Sequence, residues 1–120
     1  MDPQDVILDQ YHHPKNFGTL DHPTHRAKAE NFSCGDKLSM DIFAENDILK
    51  EIRWTGTGCT VSQASASLLS EKVISMRFED IARIGSTDII ELLGIPLSPV
   101  RLKCALLALE TLQRALKNPL

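Results

Sequence analysis

The residues with the most obvious chemistry in this sequence are its three cysteines, Cys34, Cys59 and Cys104. An odd number of widely spaced cysteines in a chain of 120 residues argues against a disulfide framework and favours reduced thiols or thiolate ligands. Together with Asp36 they would make four ligands, enough for tetrahedral zinc or for an iron-sulfur cluster, because both prefer soft sulfur donors. No Cys-x-x-Cys pair is present, so three buried core cysteines are the alternative interpretation.

Two of the cysteines have a local context that suits a metal ligand. Cys34 and Asp36 flank a glycine at the start of a predicted strand, and in extended chain positions i and i+2 point the same way. Cys59 follows Gly58 and precedes a predicted helix, whose positive dipole end favours the thiolate form. We therefore expect Cys59 to be the most reactive thiol.

Cys104 lies in the last predicted helix beside Arg101 and Lys103, two cations that would favour its thiolate if the fold brings them close. A Cys-His catalytic dyad is a weaker alternative. All four histidines lie in the N-terminal stretch, away from every cysteine in sequence; they are His12, His13, His22 and His25.

Length and composition predict one ordinary globular domain over residues 1–120, with 42% hydrophobic and 24% charged residues. The formal net charge of −3 gives no positive field for nucleic acid or anionic lipid. No stretch is apolar over the length needed to cross a membrane, and the acidic N-terminus does not resemble a signal peptide. We expect a cytoplasmic protein with neither a nucleic acid nor a membrane as partner.

The hydrophobic pattern predicts an α+β fold. Asp2 and Pro3 have the form of a helix start, and Pro14 ends that helix by His13. Period-two alternation over 37–43 and 48–55, with a turn between, predicts a hairpin, and a third strand is expected before Cys34.

Helices follow the strands. Thr60 and Gln63 have capping-box spacing at the start of a helix that runs to Val73. Short helices are predicted around 78–84 and 87–93, and a last one begins at Ser98-Pro99. Strands followed by helices favour a small antiparallel three-stranded sheet with helices packed mainly on one face. Large apolar side chains are expected to serve as core or staple residues, among them Tyr11, Phe17 and Trp54.

Several motifs occur in the order found in the IscU/SufU/NifU-type iron-sulfur scaffold family, and the likeness spans residues 6–117. They are Tyr11-His12-His13-Pro14-Lys15-Asn16-Phe17-Gly18, Cys34-Gly35-Asp36, Gly58-Cys59, Ala64-Ser65-Ala66-Ser67 and Pro99-Val100-Arg101-Leu102-Lys103-Cys104. The sequence therefore resembles that family.

The resemblance implies a domain that receives sulfur from a cysteine desulfurase. It implies that a transient [2Fe-2S] cluster, or zinc, is held on Cys34, Asp36, Cys59 and Cys104, and that apo-proteins or carriers accept the cluster. The three cysteines are then the candidate persulfide acceptors. Such a protein is a scaffold rather than strictly an enzyme.

Lys103 stands where the IscU branch has a histidine and resembles the SufU branch, while the chain has the IscU-like length. The alternatives are a SufU-like zinc-dependent sulfurtransferase, which would be catalytic, or a structural zinc domain. The segment 97–101 retains one of the two prolines in the family's chaperone-binding motif, which argues against recruitment of a dedicated Hsp70.

Overall fold

Three antiparallel strands form the sheet in the computed structural model, which describes residues 2–120. Strand β1 covers His25–Asn31, β2 covers Asp36–Glu45 and β3 covers Ile48–Thr57, and they lie in the order β1-β2-β3. The third strand expected before Cys34 is confirmed as β1. Two hairpins therefore build the sheet, and the first of them carries Cys34 in its turn.

A β-bulge opposite residues 43–44 interrupts β3, with Lys50 as the extra residue. The bulge shifts the alternation, so that Leu49 and Ile52 are both fully buried although they are three residues apart. Ile48 is only partly buried. The prediction of one unbroken alternation along this strand is therefore wrong, since the sequence pattern does not register the inserted residue.

Five helices occupy the rest of the described chain, and each corresponds to a predicted one. None of them combines the length and apolar character needed to span a bilayer. They are α1 at Pro3–His12, α2 at Thr60–Val73, α3 at Phe78–Ala82, α4 at Ser86–Leu93 and α5 at Pro99–Leu116.

The core lies between the sheet and the two long helices α2 and α5, which confirms the α+β fold. Trp54 is 1% exposed and belongs to this core, as expected. Tyr11 and Phe17 are 40% and 52% exposed, so of the two expected roles, core or staple residue, the core role is wrong for both. Phe17 lies edge-on against Trp54 with 5.1 Å between ring centroids, and covers the tryptophan from outside.

Segments from elsewhere in the chain cover parts of both sheet edges. Beside β3, the Gly18 N–H donates to the Trp54 carbonyl at 2.8 Å and the Trp54 N–H donates to the Asn16 carbonyl at 3.0 Å. Beside β1, the Leu120 N–H donates to the Thr24 carbonyl at 2.9 Å. Some backbone N–H and C=O groups at the sheet edges, which would otherwise be unpaired, are thus hydrogen-bonded within the molecule.

Candidate metal centre

Cys34 lies in the turn between β1 and β2. Its N–H donates to the Asn31 carbonyl at 3.2 Å, and Gly35 has φ +70°, a left-handed conformation that glycine adopts without steric cost. Asp36 then begins β2 and is fully buried. Cys34 and Asp36 approach a common point, as predicted, but a turn brings them together rather than extended chain.

Cys59 is the N-cap of α2. Its Sγ accepts a hydrogen bond from the Ser62 backbone N–H at 3.4 Å. Thr60 is the first residue inside the helix, so the predicted cap was wrong by one residue, and a thiol takes the role expected of a hydroxyl. A thiolate at this position faces the positive end of the helix dipole.

Gly58 allows the start of α2 to approach Asp36. It has φ +138°, and a Cβ built on it would lie 2.9 Å from the Asp36 Cα, closer than real Cβ contacts come. Because of this close approach, the N–H of the next residue, Cys59, donates to Asp36 Oδ1 at 2.8 Å. A side chain at position 58 would therefore separate the helix start from the carboxylate.

Cys104 joins the group from the second turn of α5. Its Sγ lies 3.1 Å from the Cys34 Sγ, and the residue is only 2% exposed. One ligand atom each of Cys34, Asp36 and Cys104 lie within 4.8 Å of one another. Cys59 lies outside this close trio, although its Sγ is 3.9 Å from Asp36 Oδ2. The four predicted residues are thus neighbours, with three of them closer than the fourth.

The electrostatics of Cys104 differ from the expectation. Burial, followed by the contacts with Cys34, Asp36 and Cys59, raises the pKa of the Cys104 thiol well above its ordinary value. Lys103 is exposed, whereas Arg101 lines the cavity beside the cysteines. The causes of the raised pKa include neither cation, so the prediction that they favour this thiolate is wrong because burial dominates. A metal ion binding here must displace a proton from Cys104.

A cavity of about 500 Å³ opens beside the cysteines. Cys34, Cys59 and Cys104 line it together with the polar residues Gln4, Thr60 and Arg101. The other lining residues are apolar; they are Ile7, Leu8, Val61, Ile95 and Val100. Among residues 2–120, no histidine contributes to this lining. The Cys-His dyad alternative therefore has no support in the geometry.

Asn31 is a residue of the site that was not predicted from the sequence. Its Nδ2 donates to the Cys104 Sγ at 3.8 Å, and its Oδ1 accepts from the Ser33 N–H at 3.2 Å. The available signal was an asparagine immediately before a turn, where its side chain commonly bonds to the backbone two residues on. The contact with Cys104 depends on α5 and had no sequence signal.

A small α+β domain with three thiols and a buried carboxylate beside one cavity defines a candidate metal-thiolate protein. Residues 2–119 match the family described as NifU-like N terminal domain. The chain belongs to that family, as its motifs predicted.

Relatives within the family carry two different functional names. The iron-sulfur cluster assembly scaffold protein IscU of Thermotoga maritima is 35% identical, and the alignment covers 95% of this chain and 92% of the relative. The zinc-dependent sulfurtransferase SufU of Bacillus subtilis is 29% identical, over 91% of this chain and 85% of the relative.

The fold is also that of solved structures. A putative iron-sulfur cluster assembly scaffold protein for the SUF system from Fervidobacterium islandicum superposes with a TM-score of 0.82. The identity is 23%, and the match covers 93% of this chain and 94% of the other. At that identity the likeness establishes the fold.

Proposed function

We propose that this chain is a scaffold and sulfur acceptor for iron-sulfur cluster assembly. It takes sulfur from a cysteine desulfurase and holds a transient [2Fe-2S] cluster, or zinc, on Cys34, Asp36, Cys59 and Cys104. The observation that supports this most is the meeting of three thiols at a single open cavity, with the buried carboxylate of Asp36 close to two of them. Iron and zinc bind well to sulfur donors. One oxygen donor among the ligands weakens the binding of the cluster or the zinc ion.

In the sulfur-transfer step, a thiolate of this chain attacks the terminal sulfur of a persulfide on the desulfurase. A new S–S bond forms on the acceptor, the S–S bond of the donor breaks, and the donor cysteine leaves as a thiolate. Cys34 and Cys59 are partly exposed whereas Cys104 is buried, so access favours the first two as initial acceptors. The Ser62 N–H on the Cys59 Sγ stabilises an anion there and favours Cys59.

The same ligands also allow the bound cluster to be released to apo-proteins or carriers. Asp36 is the one carboxylate among the proposed ligands and the easiest to exchange, because iron and zinc in thiolate sites hold oxygen donors less firmly than sulfur. The reducing cytoplasm is the compartment in which these thiols stay free. A dedicated Hsp70 is not part of the proposal.

A second candidate, zinc-dependent sulfur transfer, is favoured by one observation. Cys34, Asp36 and Cys104 form the close trio, and Cys59 stands at its margin. The trio suits a resident zinc ion, and Cys59 is then available to accept sulfur. Lys103 cannot ligate while it is protonated, which also fits this function.

Anaerobic incubation with ferrous iron, cysteine, a cysteine desulfurase and an electron donor that reduces persulfide sulfur to sulfide distinguishes the candidates. A parallel incubation without the donor keeps transferred sulfur as persulfide. Visible cluster absorption that disappears in Cys104→Ala supports the scaffold. Persulfide on Cys59 without colour supports the sulfurtransferase. Bound zinc with neither signal contradicts both and leaves a structural zinc domain. Thr111→Val is the control, since Thr111 is buried on the same helix two turns beyond Cys104.

A further inference from the structure

We propose that Asn31 is a positioning residue of the metal-thiolate centre, acting through a hydrogen bond from its amide nitrogen to the Cys104 sulfur. The inference rests on the proposed function and deepens it. It adds a residue that touches two of the proposed ligands without being a ligand itself.

The amide oxygen of Asn31 supports the turn that presents Cys34. It accepts the Ser33 N–H at 3.2 Å, while the backbone carbonyl of Asn31 accepts the Cys34 N–H at 3.2 Å. Both bonds close the same turn from the end of β1. The oxygen is therefore committed to the backbone, which leaves the amide nitrogen free to turn toward α5.

The amide nitrogen reaches the sulfur that is least accessible to water. Asn31 Nδ2 lies 3.8 Å from the Cys104 Sγ, which itself lies 3.1 Å from the Cys34 Sγ. Asn31 is also the cross-strand partner of Asp36. One residue thus connects the elements that carry the close trio, reaching the turn and the last helix through its side chain and the start of β2 through strand pairing.

An amide is suited to this role because it donates a hydrogen bond without carrying charge. A thiolate at Cys104 gains a donor that stabilises the anion and withdraws electron density from the sulfur. Groups that hydrogen-bond to metal ligands typically change metal affinity by 10- to 100-fold when removed. Asn31 is partly buried, so water replaces this donor poorly.

The test separates the two contacts of Asn31. Asn31→Ser keeps a side-chain oxygen that can accept the N–H two residues on, but it is too short to reach Cys104. Asn31→Ala removes both contacts. The matched control is Asn16→Ser, because Asn16 also makes two side-chain hydrogen bonds, to Ser70 and Arg53. Neither of those partners lines the cysteine cavity.

Two readouts use the metal alone. Zinc affinity is measured by competition with a chromophoric chelator, and Co²⁺ loading gives a sulfur-to-metal charge-transfer band whose energy reports electron density on the sulfurs. We expect Asn31→Ser to bind zinc roughly tenfold more weakly and to shift the band, and Asn31→Ala to do at least as much. Asn16→Ser should lose stability without moving either readout.

The proposal is overturned if Asn31→Ser matches wild type in zinc affinity and in the Co²⁺ band, even where Asn31→Ala is altered or less stable. A loss confined to the alanine variant would mean that Asn31 only supports the turn. A wild-type chain that binds neither ion contradicts the metal centre itself, and the Asn31 inference with it. Failure of sulfur transfer or cluster assembly alone does not affect this test, since no desulfurase takes part.

Discussion

Asp36 is the residue at which the separate parts of the site meet. It is fully buried, accepts the Cys59 N–H at 2.8 Å and belongs to the close trio with Cys34 and Cys104. A carboxylate in this position has two consequences. One concerns the release of the proposed cluster, and the other concerns the packing of the backbone around Asp36.

The first consequence is a prediction about release. In Asp36→Ala, the exchangeable oxygen donor is lost, so a reconstituted cluster should decay more slowly than in wild type when a chelator or an apo-acceptor is added. The decay of visible absorption measures this. Asp41→Ala is the control, because Asp41 is also a buried carboxylate of β2 but pairs with Arg26 at 2.7 Å. Faster decay in Asp36→Ala would contradict the role of the oxygen donor.

The second consequence concerns Gly58, whose missing side chain allows α2 to begin against Asp36. Gly58→Ala forces a side chain into a φ of +138° and against the Asp36 backbone, so we expect a loss of about 1–3 kcal/mol in the free energy of unfolding. Urea denaturation checks this. Gly85→Ala, at a glycine that caps α4 and has open space around its Cβ position, should cost less, at most about 1 kcal/mol. Equal effects would mean that the contact with Asp36 is not tight.

The sequence predicted that the cysteines and Asp36 lie together, but it could not indicate the contact of Asn31 with them or the true cap of α2. Neighbouring residues in the sequence were enough to predict the turn at Cys34 and the helix that begins after Gly58, because short-range interactions determine both. Asn31 gains its contact with Cys104 only when α5 packs beside the β1–β2 turn. Such a contact joins residues 73 positions apart, and no periodicity or spacing encodes it.

At the scale of elements, α2 is unusual because it buries hydroxyl groups. Ser65, Ser67 and Ser70 are each fully buried and each has a hydrogen-bond partner. Ser65 donates to the Ala105 carbonyl at 2.7 Å and so connects α2 to the residue after Cys104. The small residues of this helix let both α1 and α5 pack closely, and their hydroxyls fix how they do so.

Ser67 makes two of the hydrogen bonds between α2 and the N-terminal segment. Its hydroxyl donates to the Gln10 side-chain oxygen and accepts the Lys15 N–H at 2.8 Å. Ser67→Ala leaves both groups without this partner, which should cost about 1–3 kcal/mol. Because α1 lines the cavity through Ile7 and Leu8, amide hydrogen exchange in α1 should also accelerate.

The control for this change is Ser86→Ala, an exposed serine at the start of α4. Ser86→Ala should leave unchanged both the free energy of unfolding and the rate of amide hydrogen exchange in α1. If Ser67→Ala lowers stability while exchange in α1 keeps its wild-type rate, Ser67 supports the core and does not hold α1 against the cavity.

The elements were more predictable than their registers. All five helices and the hairpin followed from caps, prolines and periodicity, which are local properties. The bulge at Lys50 could not be predicted in this way. Strand β3 can pair with β2 with or without the extra residue, and a period of two is compatible with either pairing. The exposure of Tyr11 and Phe17 was also unpredictable, since it depends on how much of the core other residues have already filled.

For the whole molecule, the raised pKa of Cys104 makes stability depend on pH. In the unfolded chain this thiol returns to an ordinary pKa of about 8.5, whereas burial keeps it protonated in the folded chain. Above that pH the unfolded state binds fewer protons than the folded state, so stability falls as pH rises. Below it the thiol is protonated in both states and contributes no slope.

Metal-free wild type should therefore lose free energy of unfolding more steeply between about pH 8 and pH 10 than Cys104→Ala does. Anaerobic urea denaturation at several pH values measures both slopes, and the difference between them isolates this thiol from the lysines and the tyrosine. The variant should be less stable at neutral pH and flatter above it. Parallel slopes would show that Cys104 ionises equally in both states.

The covered sheet edges limit how copies of this chain can associate. Arg26, Lys28 and Glu30 project from β1 between its buried alanines, and the Arg114 side chain donates to the Lys28 carbonyl at 3.0 Å. Charged side chains and occupied carbonyls oppose strand addition, the route by which exposed edges lead to fibres and domain swapping. The chain is thereby protected against polymerising through its backbone, while its thiol-lined cavity stays open.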